Sequence, residues 1–281
     1  MRVAIAEPGV AVATNQIIGT VAGTAFALDI TLTPDGTRAY VSGGQSVFVV
    51  DTTTLGVVAT IPVGNSPNDL DITPDGSHVY VANRGTDNVS VISTDTNTVV
   101  ATVAVGGFPA GIAVTPDGIL VCVSNTNSND ASVIDPATNT VIATVAVGTG
   151  PNGIGVTADG SQVYVSNFQT NTISRIDVAT NTVVGSIAFT GSPYDMDMLG
   201  ARAYVSAFNG SAVRVIDTTA NTIVASIPTS VFSNGIAAGT AQVAGGTAEL
   251  ALALTGAPDP TTFNSLETFS ASITNNGPEA A

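Results

Sequence analysis

The sequence predicts an all-β protein, a single β-propeller of four-stranded blades. Three observations predict it. First, Thr33-Pro34-Asp35-Gly36 recurs as Thr73-Pro74-Asp75-Gly76, Thr115-Pro116-Asp117-Gly118 and Thr157-Ala158-Asp159-Gly160, at spacings of 40, 42 and 42 residues. Second, a strand-like run follows each copy: Ala39–Ser42, Val79–Ala82, Val121–Ser124 and Val163–Ser166, with a fifth at Ala203–Ser206 behind Leu199-Gly200 alone. Third, the residues between are Val, Ala, Ile, Thr, Asn, Ser and Gly, which suit strands and turns better than helices. Four antiparallel strands every ~40–45 residues make a propeller blade. The rivals are a row of separate hairpins and a β-solenoid, whose coils of about 20–30 residues need fewer turns per period.

Each element of the unit has a local reason. In Thr-Pro-Asp-Gly, Pro presets φ, Asp bonds nearby backbone, and Gly accepts the positive φ that closes the turn between strands a and b. A polar turn then leads to an alternating strand c, such as Val89–Ile92 or Val213–Asp217. A Thr-Asn-Thr turn (Thr96–Thr98, Thr138–Thr140, Thr180–Thr182) leads to strand d, such as Val99–Val103. Strand a is expected at 27–32, 67–72, 110–114, 152–156 and 193–198, with a sixth copy at 234–238. The N-terminus offers 3–6 as b, 10–15 as c and 17–21 as d. Six blades follow, with seven the alternative, and the ring closes by a blade shared between the two chain ends, which hides unpaired edges. The propeller is assigned to residues 1–240. The tail, 241–281, loses the period. Its strands, 248–254 and 269–276, are too few to bury a core alone. They pack on the propeller, pair with another chain, or begin a further domain.

Composition excludes more functions than it suggests. Twenty-one acidic residues against six basic ones give a formal charge of −15, which repels phosphate and argues against nucleic acid or an anionic membrane as partner. No apolar run approaches the ~18 residues of a membrane span. Residues 1–4 do not open a signal peptide. The single cysteine and single histidine leave no disulfide framework and little room for Cys- or His-based metal sites.

Tyr164-Val165-Ser166-Asn167 and Tyr80-Val81-Ala82-Asn83, behind their Asp-Gly turns, resemble the YVTN repeat of prokaryotic surface-layer and secreted β-propellers, over roughly residues 1–240. Members of that family usually close seven blades. Pro258-Asp259-Pro260 and Thr274–Pro278 resemble the opening of an Ig-like surface-protein repeat. The resemblance implies an extracellular or cell-surface setting and a scaffold role, since this fold carries many functions.

The candidate chemistry is carboxylate chemistry. Cys122 stands in the Tyr position between two valines and is expected to be a buried, inert thiol. His78 occupies a permissive repeat position and is expected at the surface. No nucleophile elbow, metal-spaced His pair or phosphate loop is present. One column of strand a reads Asp29, Asp69, Gly111, Gly153, Asp195, Gly235, and the column two residues on reads Thr31, Asp71, Ala113, Gly155, Asp197, Ala237. Strand a is innermost, so Asp29, Asp69, Asp71, Asp195 and Asp197 are expected around the channel. They would repel unless neutralised, and calcium or a similar hard cation would do so. The plainer arrangement is that each accepts backbone N–H groups of the adjacent blade. A catalytic acid–base pair is the third. The repeated Asp51, Asp135, Asp177 and Asp217 are expected to cap c–d turns.

The function expected is a non-enzymatic surface scaffold for protein or carbohydrate, with self-association through a tail strand lent to another subunit. The alternative is a lactonase- or lyase-type enzyme at the channel mouth.

Overall fold

In a computed structural model, the structure describes residues 27–229 and the strands 233–243, 246–255 and 272–273. Blade 1 is β1 (Ala27–Leu32), β2 (Arg38–Gly43), β3 (Ser46–Asp51) and β4 (Val57–Pro62). Blade 2 is β5 (Pro67–Ile72), β6 (His78–Asn83), β7 (Asn88–Ser93) and β8 (Thr98–Ala104). Blade 3 is β9 (Pro109–Val114), β10 (Val121–Asn125), β11 (Asp130–Asp135) and β12 (Thr140–Ala146). Blade 4 is β13 (Pro151–Val156), β14 (Gln162–Asn167), β15 (Thr172–Asp177) and β16 (Thr182–Ala188). Blade 5 is β17 (Pro193–Leu199), β18 (Arg202–Ala207), β19 (Ala212–Asp217) and β20 (Thr222–Pro228). All five are antiparallel meanders. The first strands lie side by side in sequence, β1 on β5, β5 on β9, β9 on β13 and β13 on β17. The fold is therefore the expected all-β propeller.

The core lies between blades rather than within them. One apolar cluster joins blades 2 and 3 through Tyr80, Val91, Ile112 and Val123, and another joins blades 4 and 5 through Tyr164, Ile173, Met196 and Val205. Each second strand is sandwiched on both faces, which is why Tyr-Val-Ser runs read as continuously buried. Burying each Val or Ile there contributes about 1.5–3 kcal/mol. The tyrosines add direction: Tyr40 Oη donates to Asn97 Oδ1 of the next blade at 2.9 Å, and Tyr164 Oη does the same to Asn221. The Thr-Asn-Thr asparagine is thus an acceptor for the preceding blade as well as a turn residue with φ near +52 at Asn97.

The turns work as the residue types dictate. Thr33 Oγ1 donates to Asp35 Oδ1 at 2.6 Å, Thr37 N–H donates to the same oxygen at 3.0 Å, and Gly36 takes φ +70. These hydrogen bonds hold the Asp35 carboxyl below the usual range, and the same arrangement takes Asp75 to about 2. At the c–d turns, Asp51, Asp135, Asp177 and Asp217 each accept backbone N–H groups two or three residues on, as the capping role requires.

Every outer strand carries one extra residue where it pairs with its neighbour: Val58, Val100, Ile142, Val184 and Val224. All five are about half exposed. A bulge twists an edge away from other chains, so these uncharged outer strands are guarded by geometry instead of charge.

After blade 5 comes β21 (Ser233–Val243), followed by β22 (Gly246–Thr255) and β23 (Ser272–Ile273), in one three-stranded sheet. β21 lies on β17 in the place of a sixth first strand. Its partner is β22, with Ile236 opposite Ala253, so residues 246–255 pair within the same chain. Residue 240, the expected end of the propeller, falls inside β21. The expected b, c and d strands of residues 3–21, and with them the six-blade closure, lie outside the described residues.

Candidate functional site

The first strands bring the five predicted aspartates together. The charge of Asp29 acts on Asp69, Asp71 and Asp195, and that of Asp197 acts on Asp71 and Asp195. Their oxygens are engaged between blades. Leu70 N–H donates to Asp29 Oδ2 at 3.1 Å, Ile112 N–H to Asp69 Oδ2 at 2.8 Å, and Val114 N–H to Asp71 Oδ2 at 2.8 Å. Ile236 N–H donates to Asp195 Oδ2 at 2.9 Å. The second oxygen of Asp69, Asp71, Asp195 and Asp197 accepts the next N–H of its own strand, at 2.7 to 3.0 Å. β1, β5 and β17 are thus each tied to the following first strand by a carboxylate, whereas β9 and β13 carry Gly111 and Gly153 in that column.

This arrangement has an electrostatic consequence. Burial, Asp29 beside it within hydrogen-bonding reach, and Asp195 push Asp69 well above the usual carboxylate range. Burial raises Asp195 to about 7 and Asp71 to about 6, against the opposing pull of their backbone hydrogen bonds. Burial and mutual repulsion therefore favour the neutral form of Asp69, Asp71 and Asp195, a relief of the same repulsion that calcium or backbone N–H groups would provide. Among the described residues, no group of three or more His, Cys, Asp or Glu side chains is arranged to hold a metal ion. His78 is half-buried, with Nδ1 2.8 Å from Ser77 Oγ, and Cys122 is buried with its thiol pushed up to about 12. That thiol is the inert group the sequence implies.

The two ends of the blades differ in chemistry. The a–b and c–d turns put Asp35, Asp51, Asp75, Asp95, Asp117, Asp135, Asp159, Asp177 and Asp217 at one end. The b–c and d–a loops at the other end consist of Gly, Ser, Thr, Asn, Gln, Val and Phe, with Arg84 and Asp87 as their charged members between residues 44 and 211 and Asp130 at the start of β11 beside them. At this second end stand Phe108, Phe168, Tyr194 and Phe208. Phe168 meets Tyr194 edge-on, with ring centroids 5.9 Å apart at 81°, and meets Phe208 at 5.6 Å and 72°. Tyr194 and Phe208 are tilted by 33° at 5.4 Å. Arg84 lies over the exposed Phe108 ring at 5.1 Å.

The loops beneath these rings are stitched in a repeated way. Asp87, Asn129 and Asn171, all at positive φ, accept through Oδ1 the N–H of Phe108, Gly150 and Ser192 in the following d–a loop, at 2.7 to 2.9 Å. Asn83, Asn125 and Asn167, fully buried below, donate to Ser90, Ser132 and Ser174 Oγ at 2.9 Å. The aromatic end is therefore held in place before any ligand arrives.

Sequence reasoning missed this end. Phe168 and Phe208 occupy the repeat position that holds Gly44, Arg84 and Thr126 in the other blades. The fold does not need an aromatic there, and that departure from the repeat is the signal that could have found the site.

Comparison with known proteins agrees with the fold. Residues 10–102 and 47–143 match the family model described as lactonase, 7-bladed beta-propeller, and residues 113–203 match that of the YNCE-like beta-propeller. Neither spans half of the chain. No curated protein matches. Among solved structures, a chain of Kuenenia stuttgartiensis hydrazine synthase is similar, at 20% identity and a TM-score of 0.57, covering 78% of this chain and 92% of that one. At that identity the likeness concerns the fold alone.

Proposed function

We propose that this chain is a non-enzymatic binding propeller that meets its partner, a protein or a carbohydrate, on the end built from the b–c and d–a loops. The observation that carries this reading is the segregation of surface chemistry. Phe168, Tyr194 and Phe208 pack together, and Phe108 stands apart from them, on one prestitched, nearly uncharged end, whereas the channel aspartates are occupied in joining blades. Aromatics held at a rigid, partly accessible end are the usual anchors of recognition. An extracellular or cell-surface setting accompanies the proposal, on the likeness of the Tyr-Val repeats to surface-layer propellers.

A lactonase- or lyase-type enzyme is the second reading. The lactonase match and the raised carboxyls of Asp69, Asp71 and Asp195 favour it. Against it, each of those carboxyls accepts two backbone N–H groups, and an acid or base must reach the reacting atom. A screen of lactones and esters with the wild-type chain, Asp69→Asn and Asp195→Asn separates the two. No turnover in any of the three supports the binding reading. Wild-type turnover that either substitution removes overturns it.

A further inference from the structure

The ring cluster on blades 4 and 5 narrows the class of partner. We infer that Phe168, Tyr194 and Phe208 form a stacking platform for a neutral oligosaccharide, an inference that rests on the binding reading above. Three features select that chemistry. The platform is small: three half-buried rings offer roughly 200 Å2, short of the ~800 Å2 per partner in a stable protein interface. The ligand is therefore compact or thin.

The surroundings carry no charge to recognise. The loops 147–150, 168–171, 189–192 and 208–211 contain no ionisable residue. Arg214, which reaches this end from β19, is used by the protein itself: its Nε donates to the Thr190 carbonyl at 3.0 Å and its guanidinium stacks on Phe189 at 5.6 Å. A phosphorylated or nucleic-acid ligand would meet a −15 chain without a lysine, and a cation would be drawn to the acidic opposite end.

What remains is a neutral ligand with an apolar face and many hydroxyls. A pyranose ring has both, its axial C–H groups stacking on an aromatic face while its hydroxyls seek amides. The amides are at hand. Gln169 is exposed directly after Phe168, and exposed Asn209 follows Phe208, with its Nδ2 3.2 Å from Ser192 Oγ. Tyr194 adds a phenolic hydroxyl beside the ring faces. The cluster also bridges two blades, so the platform is fixed by the same packing that fixes the ring.

The test is isothermal titration calorimetry of the full chain with neutral hexasaccharides of glucose, xylose and mannose, and with a hexagalacturonate as charged control. Tyrosine emission locates the contact, because the chain has no tryptophan and Tyr40, Tyr80, Tyr164 and Tyr204 are buried, leaving Tyr194 to respond. The expected result is saturable binding of a neutral hexasaccharide with a change in that emission. Binding should weaken tenfold or more in Tyr194→Ala and in Phe168→Leu, about 1.4 kcal/mol, and persist within a few-fold in Tyr194→Phe, which keeps the stacking face. Tyr194→Phe keeps the proposal testable if the truncating variants unfold. No neutral saccharide binding, binding of the charged control alone, or binding indifferent to Tyr194→Ala in a folded variant overturns it. Absence of saccharide binding together with absence of lactone turnover sinks this inference and leaves the binding reading standing; turnover lost in Asp195→Asn sinks that reading.

Discussion

Replacing Asp195 by Asn should change stability in opposite directions at pH 3.5 and pH 8. Asp195 accepts Met196 N–H on one oxygen and Ile236 N–H on the other, and burial raises its carboxyl from 3.8 to about 7. A raised carboxyl binds its proton more tightly in the folded state, so folding loses stability as pH rises from about 4 to about 7 and gains nothing back above it. Three units at 1.36 kcal/mol each give about 4 kcal/mol, reduced to about 2–4 because the side chain keeps some contact with solvent along the axis. Asn removes that charge, but its amide can accept only one of the two N–H groups, at a cost of about 1 kcal/mol. At pH 8 the variant should be more stable than wild type by about 1–3 kcal/mol; at pH 3.5, below the unfolded value, it should be about 1 kcal/mol less stable, with the two near parity around pH 5. Urea denaturation followed by tyrosine emission at the two pH values measures both differences. A variant weaker than wild type at pH 8 would refute the reasoning, and would instead favour an ionised carboxylate that holds a cation or acts in catalysis. The acid side is bounded by the turn aspartates. Asp35, Asp51, Asp75, Asp117 and Asp159 are lowered by hydrogen bonds, so their stabilisation is lost as pH falls below about 4 toward the folded value, about 2 at Asp75. Wild-type stability should therefore peak near pH 4.

Other substitutions probe the joints. Gly153→Ala should cost about 2–3 kcal/mol by urea denaturation, because a Cβ there lies 2.7 Å from Met196 N and Tyr194 O; an unchanged midpoint would mean that blades 4 and 5 do not meet as described. Tyr40→Phe should cost about 1 kcal/mol through its lost bond to Asn97, with Asn97→Gly, which keeps the positive φ, adding little more in the double variant; additive losses would deny the bond. A chain ending at residue 245 removes β22 and leaves β21 unpaired, so it should melt lower or aggregate. An equally stable, monomeric truncation would show that the tail serves assembly between chains instead.

Fold and site were unequally legible. The Thr-Pro-Asp-Gly period fixed the first strands to within a residue, because each turn needs Asp and a positive-φ Gly at set positions, and holds even where Ala158 replaces Pro; Gly36, Gly76, Gly118 and Gly160 all have φ of +70 to +74. The aspartate columns were legible as a cluster, since register alone stacks residues of equal repeat position. Their partners were not, because whether a carboxylate meets a cation or a backbone N–H depends on how closely the next strand approaches. The tail was harder still. Residues 246–255 alternate too weakly to declare a partner, and only the free edge of β21 explains why they pair there. The aromatic end escaped because repeat reasoning reports what recurs, whereas Phe168 and Phe208 matter as exceptions.

Those exceptions and the glycines of the aspartate columns belong to one arrangement. Where the column holds aspartate, at 29, 69 and 195, a carboxylate spans the gap to the next blade. Where it holds glycine, the next blade moves in: a Cβ on Gly111 would sit 2.5 Å from the Asn152 carbonyl, and one on Gly153 is enclosed by Tyr194 O, Met196 N and Asp195 Cα within 2.8 Å. Gly155, against the Met198 side chain, continues the close approach down the strand. The joints from blade 3 to 4 and from 4 to 5 are therefore tight, and the others are spaced by side chains. Phe168 belongs to blade 4, Tyr194 and Phe208 to blade 5, so the ring cluster forms across a glycine joint. A carboxylate spacer at residue 153 would hold β17 farther from β13 and carry Tyr194 away from Phe168, whose centroids now lie 5.9 Å apart. The missing Cβ at the axis and the aromatic platform at the rim are two consequences of one close contact between blades.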